Sequence, residues 1–486
     1  MSEIVFVLAP GQNHFFFELA EALRRELEAE GVAARLSTSG FPEDEDAERV
    51  FVLLPPHEYF ALEGARTPPP PGVLRRTIMI SAEQPETVHF RQNLALAGRG
   101  GAVFDINERA VQAYRRRGVP ARRLRLGYTP AWDRYAESSR GERPDDVLFL
   151  GAYTPRRGRV LGRHAAALAG LRSRLVLSDN SRPNTAGTPG FLAGEEKWRA
   201  LAGARMLLNV HQGREPYFEW HRVLQAIHCG AAVVTETATD FEPLRAGEDF
   251  EMAPAADLAE PLARLAADEG LRLQRARSAY ERIREAVPLR DAARRLAETA
   301  EELGAGGARR LSPRGGAASR LAALRLRVPP RGRRGPHHGR GAPALPRGWD
   351  ADAAEAERLE GGELLLIAPG QSLLPGGPAR LREALAATPA AAFSFGLVAG
   401  AGEAGVANPF AWEPARPVSP PVLVARSVAE SAGAALQEGS WRERIAVLEA
   451  IGPGVNGESL VATGAAQPAQ PAGAGRSRGR GAERGR

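Results

Sequence analysis

Glu219, Arg222 and Gln225 stand three residues apart within residues 208–250, LNVHQGREPYFEWHRVLQAIHCGAAVVTETATDFEPLRAGEDF. That interval sets them roughly on one face of a helix. The stretch reads as a strand, a glycine-containing loop, a helix, a small-residue turn at Cys229-Gly230-Ala231, a second strand and a loop ending at Gly247. Residues 217–219 would open the helix, and the N–H groups and dipole of a helix start suit an anion such as a diphosphate. Arg222 near that mouth can bridge phosphate oxygens with its guanidinium fork. Gln225 can hydrogen-bond a ribose hydroxyl, and Gly230 lets helix and strand approach closely. The competing role for Arg222 is a surface ion pair with Glu219.

The elements that must hold these residues can be read from hydrophobic pattern. Short apolar runs at 4–8, 32–37, 50–54, 77–81 and 102–106 read as strands. A helix over 15–30 carries Phe16, Ala20, Leu23 and Leu27 on one stripe and stops at Gly31. Another covers 109–117 and stops at Gly118, and the prolines at 68–71 read as a loop. The pattern then restarts, with strands at 147–150, 175–178, 206–210 and 231–235 and helices at 158–170, 195–202, 219–229, 256–267 and 271–303. Strands alternating with helices imply parallel sheets covered on both faces. Two such units joined near 135–145 make a two-lobed α/β protein, with a cleft between carboxyl edges where open sheets bind ligands.

The net charge is +6 over 486 residues, and a basic balance invites a nucleic-acid reading. Residues 305–349 hold eleven arginines and no acid, and residues 461–486 hold five arginines and one glutamate. These segments carry +11 and +4, leaving −9 for the rest of the chain. The basicity therefore belongs to Gly/Pro/Arg-rich segments that are expected to be disordered. No interleaved aromatics accompany them, so no specific nucleic-acid partner is expected. No apolar run is long enough to span a membrane, which leaves peripheral association open and points to a cytoplasmic chain. The single cysteine, Cys229, excludes an intrachain disulfide and a thiolate metal cluster.

The 208–250 stretch resembles the donor-binding half of group 1 GT-B glycosyltransferases, particularly the spore-maturation subgroup. The resemblance rests on Leu208-Asn209-Val210-His211, Arg222-Val223-Leu224-Gln225-Ala226, Gly230, Glu236 and Pro243-Leu244-Arg245-Ala246-Gly247. Upstream, Phe149-Leu150-Gly151 with Pro155-Arg156-Arg157 is similar to the phosphate-side loop that opens the donor domain. Asn107, Gly118-Val119 and Gly127-Tyr128 are similar to the end of the acceptor domain. The similarity covers roughly residues 1–300 and departs from the family where Gln225 replaces the usual glutamate.

The resemblance implies a nucleotide-sugar donor, a carbohydrate or glycoconjugate acceptor, and neither cofactor nor metal. It implies donor contacts from Gly151, Arg156, Arg157, His211, Glu219, Arg222, Gln225, Gly230 and Glu236. Arg222 would stabilise the departing diphosphate, and His14 is a candidate general base in the acceptor lobe. His211 and Glu236 remain balanced between ligand contacts and structural roles, and a turn or core role competes at His14. The expected organisation is an acceptor domain at 1–140, a donor domain at 141–304, a linker at 305–350, a further folded region at 351–463 and a tail at 464–486. The region 351–463, with a strand at 363–368 and helices near 378–387 and 441–450, is similar to the second half of family 2 GT-A transferases. It offers Ala368-Pro369-Gly370-Gln371-Ser372 where those have metal-binding aspartates, and is expected to be a silent remnant. The alternative function is an inactive GT-B carbohydrate-binding or scaffold protein.

Overall fold

The computed structural model describes residues 3–42, 49–64, 67–178, 183–188 and 190–305, and shorter stretches between 355 and 464. The expected linker and tail lie outside the described residues apart from the first residue of each, and of the helix expected at 441–450 only Arg444 and Leu448 are described.

The first lobe is a six-stranded sheet of β1 (Ile4–Val7), β2 (Ala34–Ser37), β3 (Val50–Leu53), β4 (Thr77–Ser81), β5 (Ala102–Asp105) and β6 (Arg122–Arg123). Its order is β2-β1-β3-β4-β5-β6 and every pairing is parallel. All of Ile4–Val7 and Val50–Leu53 is buried, as expected for strands covered on both faces. The helix His14–Ala29 buries Phe16, Ala20, Leu23 and Leu27, the stripe anticipated from the sequence. Asn13 caps it by accepting the Phe15 N–H at 3.2 Å.

The second lobe repeats the plan with β7 (Asp145–Ala152), β8 (Ser173–Ser178), β9 (Ala204–Asn209), β10 (Ala232–Glu236) and β11 (Glu251–Ala253). The order is β11-β10-β9-β7-β8, again all parallel. In each sheet the order reverses once, between β1 and β3 and between β7 and β9, and the crevice at such a reversal is where α/β sheets hold ligands.

Three expectations are corrected. The helix expected over 158–170 is two, Pro155–Arg163 and Ala165–Ala169, parted at His164. The long helix over 271–303 is likewise two, Glu269–Ala286 and Arg290–Ala305. Pro288, which has no N–H to continue the ladder, sits in the break. There Tyr128 N–H donates to Val287 O at 2.8 Å and Leu289 N–H to Tyr128 O at 2.7 Å, tying the interlobe crossing to the returning chain. The second of these helices packs back on the first lobe, where Arg294 pairs with Glu30. The prolines at 68–71 are not wholly loop, since Pro71 begins the helix Pro71–Arg75, a position whose missing N–H costs nothing.

A third sheet combines β12 (Glu355–Arg358), β13 (Leu364–Ile367), β14 (Ser372–Leu373), β15 (Phe393–Gly400), β16 (Val406–Ala407), β17 (Val422–Val424) and β18 (Gly454–Gly464). It is mixed, with β15 and β18 parallel and the remaining pairs antiparallel. Leu374 joins the apolar cluster of the second lobe, and Arg380 Nη2 donates to Leu171 O at 3.4 Å.

Candidate functional site

The carboxyl edges of the first two sheets face one cavity of about 650 Å³. From the second lobe, β7 ends at Gly151-Ala152, and the helix Trp220–His228 aims its N-terminus at the same space. Glu219 is the residue before that helix, and its carboxylate lies between two guanidinium groups. Arg157 Nη2 donates to both Glu219 oxygens at 2.8 and 3.0 Å, and Arg222 Nη1 lies 2.7 Å from Glu219 Oε2. Burial pushes the Glu219 carboxyl up, but Arg157 and then Arg222 outweigh it and hold its pKa below the ordinary value.

The two arginines differ in their other partners. Arg157 also donates from Nε to Val210 O at 2.9 Å and from Nη1 to Ala152 O at 2.9 Å. Arg222 reaches Asn209 Oδ1 at 3.1 Å. Burial, opposed by Glu219 and assisted by Arg157, lowers the Arg222 pKa to about 10. Gly151 makes the crowding possible, since a Cβ there would lie 3.0 Å from Arg157 Nη1 and from Arg222 Nη2. Two guanidinium cations against one carboxylate leave this wall with one net positive charge.

Gln225 also lines the cavity, but its amide crosses to the first lobe and donates to Glu18 Oε2 at 3.3 Å. Glu18 is paired with Lys197, the only lysine in the chain. Phe15 and His221 meet across the same seam with ring centroids 4.0 Å apart. Gln225 therefore fastens the lobes together in this structure.

Five expected site residues lie away from the cavity lining. Arg156 is half-buried and engaged with Glu236, 2.7 Å from Nη1 to Oε1, and with His211 O at 2.9 Å. Glu236 also accepts the His211 backbone N–H, while His211 Nε2 contacts Thr237 O at 3.0 Å. These residues form a cluster at the carboxyl ends of β9 and β10. Gly230 has φ +68° and makes the turn after the helix, where a Cβ would lie 2.9 Å from Arg143 Nη2.

His14 begins the first helix, donating its N–H to Asn184 O at 2.8 Å. Its ring stacks on Phe17 at 5.4 Å and its Nε2 is 3.6 Å from Glu18 Oε1. His14 is not among the residues that line the cavity.

The first lobe contributes groups that sequence reasoning passed over: His57 and Glu58 after β3, and Glu83 after β4, with His89 beyond it. The available signal was an acidic residue soon after each of two buried strands, at Pro55-Pro56-His57-Glu58 and Ala82-Glu83. Glu58 Oε2 accepts the Asn13 backbone N–H at 3.0 Å. The His57 and His89 rings stack at 4.7 Å, and burial with the His89 charge lowers His57 to about 3.

No curated protein matches the chain. Among solved structures it is similar to Anabaena HepE in complex with UDP and glucose, at 14% identity over 62% of this chain and 99% of that one, TM-score 0.42. It is similar to WaaG, a glycosyltransferase involved in lipopolysaccharide biosynthesis, at 15% identity over 62% and 100%, TM-score 0.42. Sucrose-phosphate synthase from Thermosynechococcus elongatus gives 15% identity over 63% and 100%, TM-score 0.42. Residues 156–298, which build most of the cationic wall of the cleft, match the family described as glycosyl transferase-like.

Proposed function

We propose that the chain transfers a sugar from a nucleoside-diphosphate donor to a hydroxyl of a carbohydrate or glycoconjugate acceptor. The observation that carries this is the pair of buried Arg157 and half-buried Arg222 at the start of the helix Trp220–His228, inside the segment that matches the glycosyl transferase-like family. A diphosphate seated there meets a helix N-terminus and a net positive wall in a site of low dielectric. As the bond to the sugar breaks, charge gathers on the departing diphosphate, and preformed donors stabilise it without reorganising. Arg222 is suited to this because fewer of its N–H groups are committed to the fold than those of Arg157.

The second lobe then holds the donor and the first lobe the acceptor, a GT-B arrangement supported by the two facing parallel sheets. Membership of the spore-maturation subgroup, independence of metal and a cytoplasmic location go with this reading. The third sheet is read as a silent GT-A-like remnant. Among the described residues no helix is long and apolar enough to cross a membrane.

A second reading, an inactive sugar-binding or scaffold protein, is favoured by the engagement of Gln225 with Glu18. A thermal-shift screen of UDP-, GDP-, ADP- and dTDP-sugars, followed by assay of diphosphate release, separates the two. Transfer predicts that one donor raises the melting temperature and is consumed. Stabilisation without consumption favours the scaffold, and no response to any donor contradicts both donor-site readings.

A further inference from the structure

Within the transfer reading, the side of the cavity away from the arginines collects groups that accept hydrogen bonds and lack donors. His57, Glu58 and Glu83 line it from the first lobe, and Asn184 reaches it from the loop after β8. The clearest of these is His57. Asn93 Oδ1 accepts the His57 backbone N–H at 2.8 Å and lies 3.2 Å from the ring Nδ1. Nδ1 must therefore hold the ring proton. Burial, with the His89 charge, lowers this imidazole to about 3, so it is neutral and Nε2 keeps its lone pair. His57 is only 7% exposed, yet Nε2 makes no hydrogen bond among the described residues. Glu83 Oε1 stands 4.0 Å from it, too far for the two to share a proton.

The other groups are in the same condition. Glu58 Oε2 takes the Asn13 N–H at 3.0 Å, and the carboxylate has no further hydrogen bond among the described residues. The next N–H, that of His14, goes to Asn184 O, so one helix start holds Glu58 and Asn184 together. Asn184 is 3% exposed, and its side-chain oxygen has no partner. Neither Glu58 nor Glu83 has an arginine or lysine partner among the described residues, whereas Glu219 and Glu18 both do. Burial, moderated by the Asn13 N–H and reinforced by the Glu83 charge, raises Glu58 to about 7, and burial also raises Glu83.

Buried polar groups are ordinarily satisfied, so this wall is shaped for a ligand rich in donors. A hydroxyl brings an acceptor with its one donor. An ammonium brings three donors, no acceptor and the missing positive charge. Among the described residues no three His, Cys, Asp or Glu groups could hold a metal ion together, so the cation that suits the wall is organic. Across the cavity, the net positive charge of Arg157 and Arg222 against Glu219 repels such a group and draws a diphosphate.

We propose that the acceptor is an amine-bearing sugar or cyclitol whose ammonium is seated among Glu58, Glu83 and His57 Nε2. The ammonium is a handle that takes no part in bond-making, and a hydroxyl of the same molecule receives the sugar. Opposite charges at the two sides of the cleft then orient donor and acceptor toward each other.

The test uses the full chain with the nucleotide sugar consumed fastest in the donor screen. The acceptors are glucose, the aminodeoxyglucoses with the amine at carbon 2, 3 or 6, and the N-acetyl form of each, which keeps the nitrogen and removes the charge. At least one amino sugar should be glycosylated with kcat/KM roughly 10- to 150-fold above glucose and above its own N-acetyl form, the range for hydrogen bonds to a charged group. Glu83→Gln and Glu58→Gln, made singly and checked for cooperative melting, should each lose most of that preference through KM. Both should bind the nucleoside diphosphate as tightly as wild type in calorimetry. Either variant is sufficient if the other fails to fold. A wild-type chain that shows no such preference, or a preference that survives substitution in the folded variants, overturns the proposal and leaves the transfer reading standing. A wild-type chain that binds no nucleoside diphosphate overturns the transfer reading instead.

Discussion

Arg157 and Arg222 grip the same carboxylate from two sides, yet their substitutions should have opposite consequences. Arg157 donates to Val210 O, Ala152 O and Glu219, so its loss leaves two carbonyls unpaired and breaks a two-point ion pair, with Arg222 the remaining cation on Glu219. Arg157→Ala should cost roughly 3–5 kcal/mol of stability, the range for breaking a buried ion pair. Arg222→Ala leaves Glu219 with Arg157 as partner. It should melt near wild type while losing about 1.5–3 kcal/mol of nucleoside-diphosphate affinity, the worth of a charge-assisted contact. Denaturant titration and calorimetry on the two variants separate the roles.

Gln225→Glu, which restores the family residue, sets a second carboxylate beside Glu18. Glu18 Oε1 already lacks a hydrogen bond, and Lys197 would have to serve both groups. A loss of about 1–3 kcal/mol in urea titration is expected, the usual cost of a buried polar group left unpaired; unchanged stability would mean that the seam opens easily. The arginine wall was legible because Glu219, Arg222 and Gln225 lie within a single turn-by-turn pattern. Glu58 and Glu83 were not, since they follow different strands and only the sheet order brings them to one wall.

Strands and helices of both lobes could be placed from sequence because buried parallel strands are short, nearly all-apolar runs ended by glycine, proline or polar residues. What periodicity missed was the interruption at Pro288, since apolar residues continue at helical spacing on both sides of it. The break exists for a tertiary reason, the pairing of Tyr128 with Val287 and Leu289. Gly127 permits that crossing: a Cβ on it would lie 1.7 Å from Val287 O. Gly127→Ala must therefore push the two segments apart. A loss of about 3 kcal/mol is expected, the upper end of overpacking costs, and a melting temperature equal to wild type would show that the crossing adjusts freely.

At the scale of the whole molecule, two facing parallel sheets were legible from the repeated strand–helix pattern, and with them the location of the cleft. The docking of the third sheet was not. Leu374 meets the core of the second lobe only after a long separation in sequence, and no local pattern encodes that contact. Truncation to residues 1–304 should lose the burial of Leu374, roughly 1.5–3 kcal/mol, yet keep every cavity-lining side chain in place. The truncated chain should therefore melt cooperatively at a lower temperature and retain turnover. A folded truncation that binds donor but has no activity would assign the third sheet a catalytic part.

The central claim, that this cleft moves a sugar off a nucleoside diphosphate, is tested most directly by diphosphate release from a panel of nucleotide sugars, using the purified full chain and Arg222→Ala in parallel. Wild type should consume at least one donor, and Arg222→Ala should do so about 10- to 150-fold more slowly, as loss of a charge-assisted contact requires. A folded wild-type chain that releases diphosphate from none of them, or an Arg222→Ala variant that matches wild type on the donor consumed, would contradict it.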